Sequence, residues 1–380
     1  MRILAAMNPI TYCMNVHPGE TLESVFDALK TVTLPLRDAL LGAEREFAIG
    51  LRLGHLAAEA LRSPGQFRRL SSFLARNRLS VIGINGFPYG AFHDEMVKTA
   101  VYEPDWTARE RIQYTCNLFY ALTHFPLSRM GEHCASVTTM PLAYDRGQGF
   151  VPGMFQNLCE MALFLRKLEG FTGHRLCLAL EPEPDCLLES TRTTIDFFEE
   201  LWQYPEWNPA YRDYIGLCFD TCHFALGYED PQNALREIVS ANIPVERIQV
   251  SAALEVEPGI SVDDLLPFLD SVYLHQTRRL EPNGVLCSFP DLTTEVIHEL
   301  LNSSARIHYH VPLAWAGEGH LRSTRQTLTP GFWRYVRAGG WPVEVETYAF
   351  SVYPSSLRTC TLSEALFADI RWVQEQLSRV

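Results

Sequence analysis

The sequence predicts an α/β fold, a (β/α)8 TIM barrel in which eight parallel strands alternate with helices. Apolar, strand-like runs alternate with amphipathic helical segments along nearly all of the 380 residues, a length that suits one barrel. About eight such repeats favour a closed sheet, and no GxGxxG or GxxxxGK(S/T) motif follows any strand to indicate a nucleotide-binding open sheet. No repeat, low-complexity tract or linker interrupts the pattern, so residues 1–380 are predicted to form a single domain.

Nine apolar runs are candidate strands, one more than a barrel needs. The surplus is expected in the second half of the chain, where residues 255–300 have the character of an insertion between barrel elements. The pattern leaves open whether residues 248–252 or 307–311 form barrel strand seven. The nine candidates are Ile3–Met7, Phe47–Leu53, Val81–Asn85, Cys134–Thr138, Leu176–Leu180, Ile215–Phe219, Ile248–Ala252, Ile307–Val311 and Val343–Thr347.

Three helices have clear signals between these strands. Thr107 and Glu110 have the spacing of a capping box. Thr361 and Glu364 have the same spacing at the start of the last helix, which is predicted to run to about Leu377. A third helix is indicated by apolar residues at helical spacing, which are expected to face the core; they are Phe155, Leu158, Met161, Ala162 and Leu165.

The composition is typical of a soluble globular protein, with 47% hydrophobic and 20% charged residues. A net charge of −13 disfavours nucleic acid and anionic membrane surfaces as partners, so small neutral molecules are the expected ligands. No apolar run reaches the ~18 residues that span a bilayer, and the amino terminus lacks the apolar core of an export signal. The ten cysteines form no CxxC pair. We therefore expect a cytoplasmic protein with reduced thiols and no membrane insertion.

One stretch places an acid and a histidine at the end of a candidate strand. Asp220 ends the apolar run Ile215–Phe219, at the carboxyl end of a parallel strand, where barrels bind their ligands. His223 reaches the same side only if the chain turns at Thr221 and Cys222, because residues i and i+3 of a regular strand point to opposite faces. An oxygen and an imidazole nitrogen then converge, a combination that suits a divalent cation.

Other strand ends carry further acids and imidazoles. Glu181 directly follows an apolar run and is expected at the rim, whereas a solvated loop position is a serious alternative for Glu183. His308 and His310 are two residues apart in an apolar run, so both are expected to point to one face of the strand.

Glu344 and Glu346 have the same period-two spacing within the last candidate strand. Two carboxylates on one buried strand face need partners, either a metal ion or an arginine. Arg52 and Arg325 are the arginines considered for such a pair.

Polar residues near the first strands are weaker candidates. Asn15 and His17 follow the first candidate strand in a turn-forming segment, and Arg52 lies at the end of the second. All three are predicted to contact substrate. Gln249, within the seventh candidate strand, is a candidate neutral ligand.

The order of these residues resembles the xylose-isomerase-like barrel superfamily, which contains ketose 3-epimerases, sugar isomerases and barrel-type apurinic endonucleases. In the epimerase branch, Glu, Asp, His and Glu from successive strand ends hold a metal ion, and a histidine three residues after the Asp contacts the substrate. The resemblance therefore implies that Glu181 and Asp220 are metal ligands and that His223 contacts substrate.

The remaining ligand positions depart from that pattern. The strand-seven histidine falls at Gln249, so His308 or His310 is expected to substitute for it, and either Glu344 or Glu346 matches the last glutamate. The resemblance thus implies one divalent metal, Mn²⁺, Mg²⁺ or Zn²⁺. It also suggests a homodimer, for which the sequence offers no exposed apolar stripe.

A second resemblance covers nearly the full length. Four segments, Tyr12–Glu20, Ile248–Leu254, His308–Pro312 and Glu344–Tyr348, are similar to the EboE family. Its members are called metabolite traffic proteins and are encoded in the ebo cluster beside a prenyltransferase-like and a dehydroquinate-synthase-like protein. This resemblance implies a role in a metabolite pathway and defines no reaction.

Three functions are consistent with these features. The first is a metal-dependent isomerase or epimerase of a polyol, sugar or cyclitol, in which Glu181 or Glu346 moves a proton beside a polarised carbonyl and His223, with His17, orients hydroxyls. The second is a barrel that binds or transfers a metabolite without converting it. The third is a phosphoester hydrolase of the endonuclease branch, which the net charge of −13 disfavours. They rank in that order.

Overall fold

The computed structural model describes residues 8–93, 96–129, 131 and 133–380. Its strands, in chain order, are β1 (Ile10–Tyr12), β2 (Phe47–Arg52), β3 (Leu79–Asn85), β4 (Ala135–Thr139), β5 (Leu176–Leu180), β6 (Ile215–Asp220), β7 (Val245–Val250), β8 (Leu254–Val256), β9 (Thr277–Leu280), β10 (Leu286–Phe289), β11 (Ser304–Ile307), β12 (Gly317–Glu318), β13 (Leu321–Ser323) and β14 (Val343–Val345).

Eight of these strands form the predicted barrel. Their order is β1-β14-β7-β6-β5-β4-β3-β2, and neighbouring strands are parallel. A parallel bridge between Cys13, just after β1, and Gly50 of β2 nearly closes the sheet. The side chains of all eight strands are almost entirely buried, as expected for strands that are covered on both faces. The predicted fold class is therefore confirmed.

Most of the predicted strands are confirmed, although their first and last residues are shifted. The candidate Ile3–Met7 lies outside the described residues, and the first described strand is β1. The open question of strand seven is answered by β7, because Val245–Val250 pairs with both β6 and β14. The assignment of residues 307–311 to a strand is wrong beyond Ile307, because β11 ends there and belongs to a second sheet.

The predicted insertion is a second, antiparallel sheet between β7 and β14. Its six strands have the order β10-β9-β11-β8-β13-β12, so it spans Leu254 to Ser323 and is longer than the predicted 255–300. Backbone hydrogen bonds fix it to the carboxyl end of β7: the Val311 N–H donates to the Ala252 carbonyl (3.0 Å) and the Thr324 N–H to the Ala253 carbonyl (3.0 Å). The segment after β11 is thereby held against the mouth of the barrel.

The helices surround the barrel, and none among the described residues combines the length and apolar character needed to cross a bilayer. They are α1 (Leu22–Ala28), α2 (Leu34–Leu41), α3 (His55–Ala60), α4 (Pro64–Arg76), α5 (Arg109–Leu122), α6 (Pro152–Thr172), α7 (Thr191–Gln203), α8 (Thr221–Leu226), α9 (Pro231–Ser240), α10 (Val262–Leu265), α11 (Thr294–Leu300), α12 (Pro330–Gly339) and α13 (Leu362–Ser378).

All three predicted helices are present, as α5, α6 and α13, but the predicted start of α5 is wrong. The capping box of Thr361 and Glu364 begins α13, and the five apolar residues of the stripe in α6 are buried. The capping box at Thr107 is wrong, because the Thr107 hydroxyl donates to the Asp105 carboxylate (2.5 Å) and α5 begins at Arg109. An Asx-type turn has taken the side chain that the cap would need.

A buried ion pair occupies the barrel interior. Arg247 of β7 donates to the Glu344 carboxylate of β14 (3.0 Å), and both side chains have no exposed surface. Glycines on the facing strands leave the space: a Cβ at Gly83 would lie 1.7 Å from an Arg247 nitrogen, and one at Gly50 would lie 1.4 Å from a Glu344 oxygen. Glu344 thus has an arginine partner, as one alternative held, but the partner is neither Arg52 nor Arg325.

This pair predicts an asymmetric response to substitution. Glu344→Gln leaves the buried Arg247 charge without its counter-ion and is expected to lower the free energy of unfolding by about 3–5 kcal/mol, measured by urea denaturation. The double variant Arg247→Met/Glu344→Leu removes both charges and should recover most of that loss. A double variant as unstable as the single one would contradict this account.

Candidate metal centre

A cleft lies between the carboxyl ends of the barrel strands and the inserted sheet. The space that no atom fills is about 520 Å³, including a part open to solvent, and about 50 Å³ of it admits the centre of a water-sized molecule. These dimensions suit a small ligand. The polar and charged side chains along it are Asn15, Lys98, Tyr102, Glu181, Glu183, His223, Tyr273, His308, His310, Glu346 and Tyr348.

Asp220 ends β6 and starts α8, so the chain turns where the sequence required it. One oxygen, Oδ1, accepts from the backbone N–H of Cys222 (2.7 Å) and of His223 (3.3 Å), which caps the helix. The Ser251 hydroxyl also donates to it (2.5 Å). The other oxygen, Oδ2, is buried without a hydrogen-bond partner. The fixed cap therefore leaves one carboxylate oxygen available to a ligand.

His223 is turned by this helix toward two carboxylates. Its Nδ1 lies 2.7 Å from the Pro182 carbonyl, and because a carbonyl only accepts, Nδ1 carries the hydrogen. Its Nε2 lies 3.5 Å from Glu183 and 3.9 Å from Asp220. Burial lowers the His223 pKa, but the Asp220 and Glu183 charges outweigh it, and the net pKa is raised. A cation, whether a proton or a metal ion, is therefore favoured at Nε2.

His308 and His310 face the cleft from the segment after β11. Their Nδ1 atoms lie 2.8 Å from the Gln276 side-chain oxygen and 3.2 Å from the Glu346 carbonyl, so both carry hydrogens. The two Nε2 atoms, which then hold lone pairs, lie only 3.3 Å apart. Burial drives the His308 pKa well below its ordinary value and lowers that of His310 to about 4, so both rings are neutral near pH 7.

Among the acids of the cleft, Glu183 and Glu346 have pKa values near neutral. Burial raises the pKa of Glu183 to about 7, although His223 and the Tyr102 hydroxyl (3.2 Å) favour its ionised form. Burial likewise raises the pKa of Glu346 to about 8, with the Asn15 amide donating to its Oε1 (3.2 Å). Its Oε2 is buried without a hydrogen-bond partner. Each can therefore gain or lose a proton near neutral pH.

Glu181 lies deeper, at the end of β5. When its amide nitrogen faces Glu181, Gln249 donates to both carboxylate oxygens, at 2.7 and 3.2 Å. Burial, followed by the charges of Asp220 and Glu346, raises the Glu181 pKa well above its ordinary value. Gln249 therefore acts on the site through Glu181, and Glu181 is the most constrained of the acids.

The arrangement fits a divalent metal ion. Asp220, His223 and His310 each bring one donor atom to within 4.8 Å of one another, as do Glu183, His223 and His308. Each histidine donates Nδ1–H to a carbonyl or amide oxygen, which is the orientation of metal-bound histidines. Asp220 and Glu346 each have one further buried oxygen without a hydrogen-bond partner. We favour the set with Asp220, because its Oδ2 has no other contact.

Five predicted site residues lie outside this cleft's lining: Asp220 and Gln249, described above, and His17, Arg52 and Glu344. His17 is buried with its Nε2 3.1 Å from the Tyr12 hydroxyl, and burial lowers its pKa to about 3. Arg52 donates to Glu20 (3.0 Å) and to a loop carbonyl. Glu344 is held by Arg247. Asn15 does line the cleft.

Sequence reasoning missed Glu183, Gln276 and Tyr348. Glu183 is only 7% exposed, so the reading of a solvated acid is wrong. Its period-two spacing from Glu181 was the available signal. No signal in the sequence indicated the other two residues. Gln276 fixes the His308 ring, and the ring of Tyr348 packs 4.7 Å from that of His310.

Two solved structures are similar over nearly their whole length. One is the IolI protein with a bound zinc atom, 12% identical, with 98% of each chain covered and a TM-score of 0.52. The other is a xylose isomerase-like TIM barrel protein from Mycobacterium smegmatis in complex with magnesium, also 12% identical with 98% of each chain covered, TM-score 0.53. At this identity the likeness concerns the fold, which is that of the xylose isomerase-like TIM barrels.

No family model and no curated protein matches this sequence. The EboE resemblance therefore stays a prediction.

The raised pKa of Glu346 predicts a pH dependence for the metal-free protein. The pKa of Glu346 rises from 4.5 to about 8 on folding. The stability that the protonated side chain contributes is therefore fully present below pH 4.5 and is lost as the pH rises through about 8. Glu346→Gln removes this loss. The variant should gain stability relative to the wild type by up to about 1.4 kcal/mol per pH unit between those values.

The measurement is urea unfolding in the presence of a chelator at about pH 5, 6.5 and 8. Glu200→Gln, on the exposed surface of α7, is the matched control and should show no such trend. A difference between Glu346→Gln and wild type that is constant with pH would show that Glu346 titrates normally.

Proposed function

We propose that the protein is a metal-dependent isomerase or epimerase of a small, neutral polyol that carries a carbonyl, such as a sugar or cyclitol. The observation that supports it best is the convergence of Asp220, His223 and His310 in one cleft with two carboxylates of near-neutral pKa. Metal-type donors beside titratable acids are what proton transfer next to a carbonyl requires.

Asp220, His223 and His310 would hold one divalent ion. Two imidazoles and one carboxylate favour Zn²⁺ or Mn²⁺ over Mg²⁺, which prefers oxygen ligands. Zinc and magnesium in the two similar structures are in keeping with such a site. When bound, the ion polarises a carbonyl and so acidifies the neighbouring C–H bond.

Glu346 and Glu183 would move the proton. The Asn15 amide fixes Oε1 of Glu346, which leaves the unpartnered Oε2 to take a proton from carbon. Glu183, held by Tyr102, would return a proton to the neighbouring position or the opposite face. Glu181, which accepts two hydrogen bonds from Gln249, would position the neighbouring groups and would not carry out the proton transfer first assigned to it.

Lys98 is the single lysine or arginine in the cleft's described lining, and its contacts support a neutral substrate. The Lys98 amine already donates to the carbonyls of Asp270 (3.2 Å) and Tyr273 (2.7 Å) and pairs with Asp291 (2.6 Å). All three of its hydrogens are therefore engaged. A phosphate or carboxylate on the substrate would meet no free lysine or arginine among the described lining residues, whereas hydroxyl groups suit the remaining donors and acceptors.

A second candidate is a barrel that binds or hands on a metabolite without converting it. Gln249, where the epimerase pattern has a histidine, engages both oxygens of Glu181 and favours this alternative. In either case, the similarity of four segments to the EboE family supports a place in the metabolite pathway of the ebo cluster.

Carbon-bound hydrogen exchange separates the two candidates. The metal-loaded protein is incubated in D₂O with a panel of ketoses and keto-cyclitols, and deuterium at the carbon next to the carbonyl is followed by NMR. An isomerase incorporates deuterium, and Glu346→Gln should lower the rate at least ~100-fold, the usual contribution of a general base. Glu200→Gln should match the wild type. Ligand binding without exchange would replace the isomerase proposal by the carrier.

Metal binding has its own test in Asp220→Asn. Asparagine keeps the oxygen that caps α8, so the fold should persist, but it removes the charge directed at the metal. Zinc titration followed by thermal unfolding should show stabilisation of the wild type and little or none of the variant. Equal stabilisation of both would exclude Asp220 as a ligand. Three zinc ions held at this cleft would favour the phosphoester hydrolase instead.

A further inference from the structure

The opposite end of the barrel holds a second cluster of metal-binding side chains. Cys134 immediately precedes β4, Cys177 is the second residue of β5 and Glu246 is the second residue of β7. All three are buried, and each brings one donor atom to within 4.8 Å of the other two. They lie where the strands begin, whereas the cleft lies where the strands end.

His133 lies beside the cluster and faces Glu246. Its Nε2 lies 2.9 Å from the Gly339 carbonyl and therefore carries the hydrogen. Its Nδ1 then holds the lone pair, and it lies 3.9 Å from an oxygen of Glu246. A backbone carbonyl that fixes one nitrogen while the other faces a carboxylate is the second-shell arrangement of metal-bound histidines.

We propose that Cys134, Cys177, Glu246 and His133 form a zinc site at the amino-terminal end of the barrel. Two sulfurs, one imidazole nitrogen and one carboxylate oxygen make a four-ligand set of the kind that binds Zn²⁺ tetrahedrally. The soft thiolates disfavour Mg²⁺ and Ca²⁺.

The surroundings of the cluster orient its ligands and affect their ionisation in opposite directions. The backbone N–H of Cys134 donates to Glu246 (3.1 Å), which orients the carboxylate. The Arg175 guanidinium, at the exposed entry to β5, interacts electrostatically with Cys134 and Glu246. Burial raises the pKa of Cys177 well above its ordinary value and also raises that of Glu246, so the thiolate and carboxylate are expected to form as a metal ion displaces their protons.

The site has a structural role in this proposal. It would tie together the beginnings of β4, β5 and β7, and the amino-terminal face of such barrels serves stability rather than chemistry. It shares no residue with the cleft. The zinc proposal therefore does not depend on the proposed isomerase activity.

Cobalt substitution of the full-length protein tests the site, because Co²⁺ bound to thiolates absorbs in the near ultraviolet through sulfur-to-metal charge transfer. The chelated protein is titrated with Co²⁺ under reducing conditions, and the same titration is made with Cys134→Ser and Glu246→Gln. Cys159→Ser is the matched control, because Cys159 (7% exposed) is buried like Cys134 (8% exposed) but lies in α6. Cys222→Ser and Asp220→Asn control for the cleft, where Cys222 lies near His308 and His310.

The proposal expects a thiolate band in the wild type and in Cys159→Ser, Cys222→Ser and Asp220→Asn. The band should be lost in Cys134→Ser and weakened in Glu246→Gln, with the loss of about one zinc ion per chain in the matching Zn²⁺ titration. Absence of the band from the wild type, or its loss in Cys222→Ser, would overturn the proposal. A Cys134–Cys177 disulfide, seen by mass spectrometry before reduction, would also overturn it.

Discussion

Four carboxylates are buried at one end of the barrel, and the surrounding groups must compensate for the free-energy cost of burying them. Glu181, Glu183, Asp220 and Glu346 are each less than 9% exposed, and among the described residues only histidines form ion-pair contacts with them. Glu344 lies two residues before Glu346 in the sequence, and its charge is instead balanced by the buried Arg247. The charge inside the barrel is thus balanced by an arginine, whereas the acids at its mouth have no arginine or lysine partner among the described residues, and burial raises the pKa values of Glu181, Glu183 and Glu346.

The inserted sheet supplies the other half of that mouth. The segment after β11 carries His308 and His310. Gln276 immediately precedes β9, and its backbone carbonyl accepts from the His308 N–H (2.8 Å). Both imidazoles reach the cleft because the insertion is anchored to the carboxyl end of β7. A barrel without this insertion would have the acids but only His223 among these three histidines.

The sequence predicted what local rules determine, and it missed what depends on tertiary partners. Strand alternation gave the barrel, and the acid-to-histidine spacing at Asp220 required the turn that α8 makes. Alternatives stayed open for Glu183 and Glu344 for one reason: whether an acid is solvated, paired or directed at a cleft depends on partners that are distant in sequence, here Tyr102 and Arg247. The cysteines at 134 and 177 likewise meet only because β4 and β5 are neighbours. The roles of the site residues remain proposals.

The identity of residue 249 shows why the proposed metal site needs the inserted sheet. In register Gln249 lies between Asp220 of β6 and Glu344 of β14, the position from which the epimerase pattern supplies a histidine. An amide there binds Glu181 through hydrogen bonds and contributes no imidazole nitrogen. His310 from the insertion brings a nitrogen donor close to Asp220 and His223, so the nitrogen lost from strand seven is replaced from outside the barrel. In the proposed site the donor set would have two imidazoles, which would favour zinc over ions that prefer oxygen ligands.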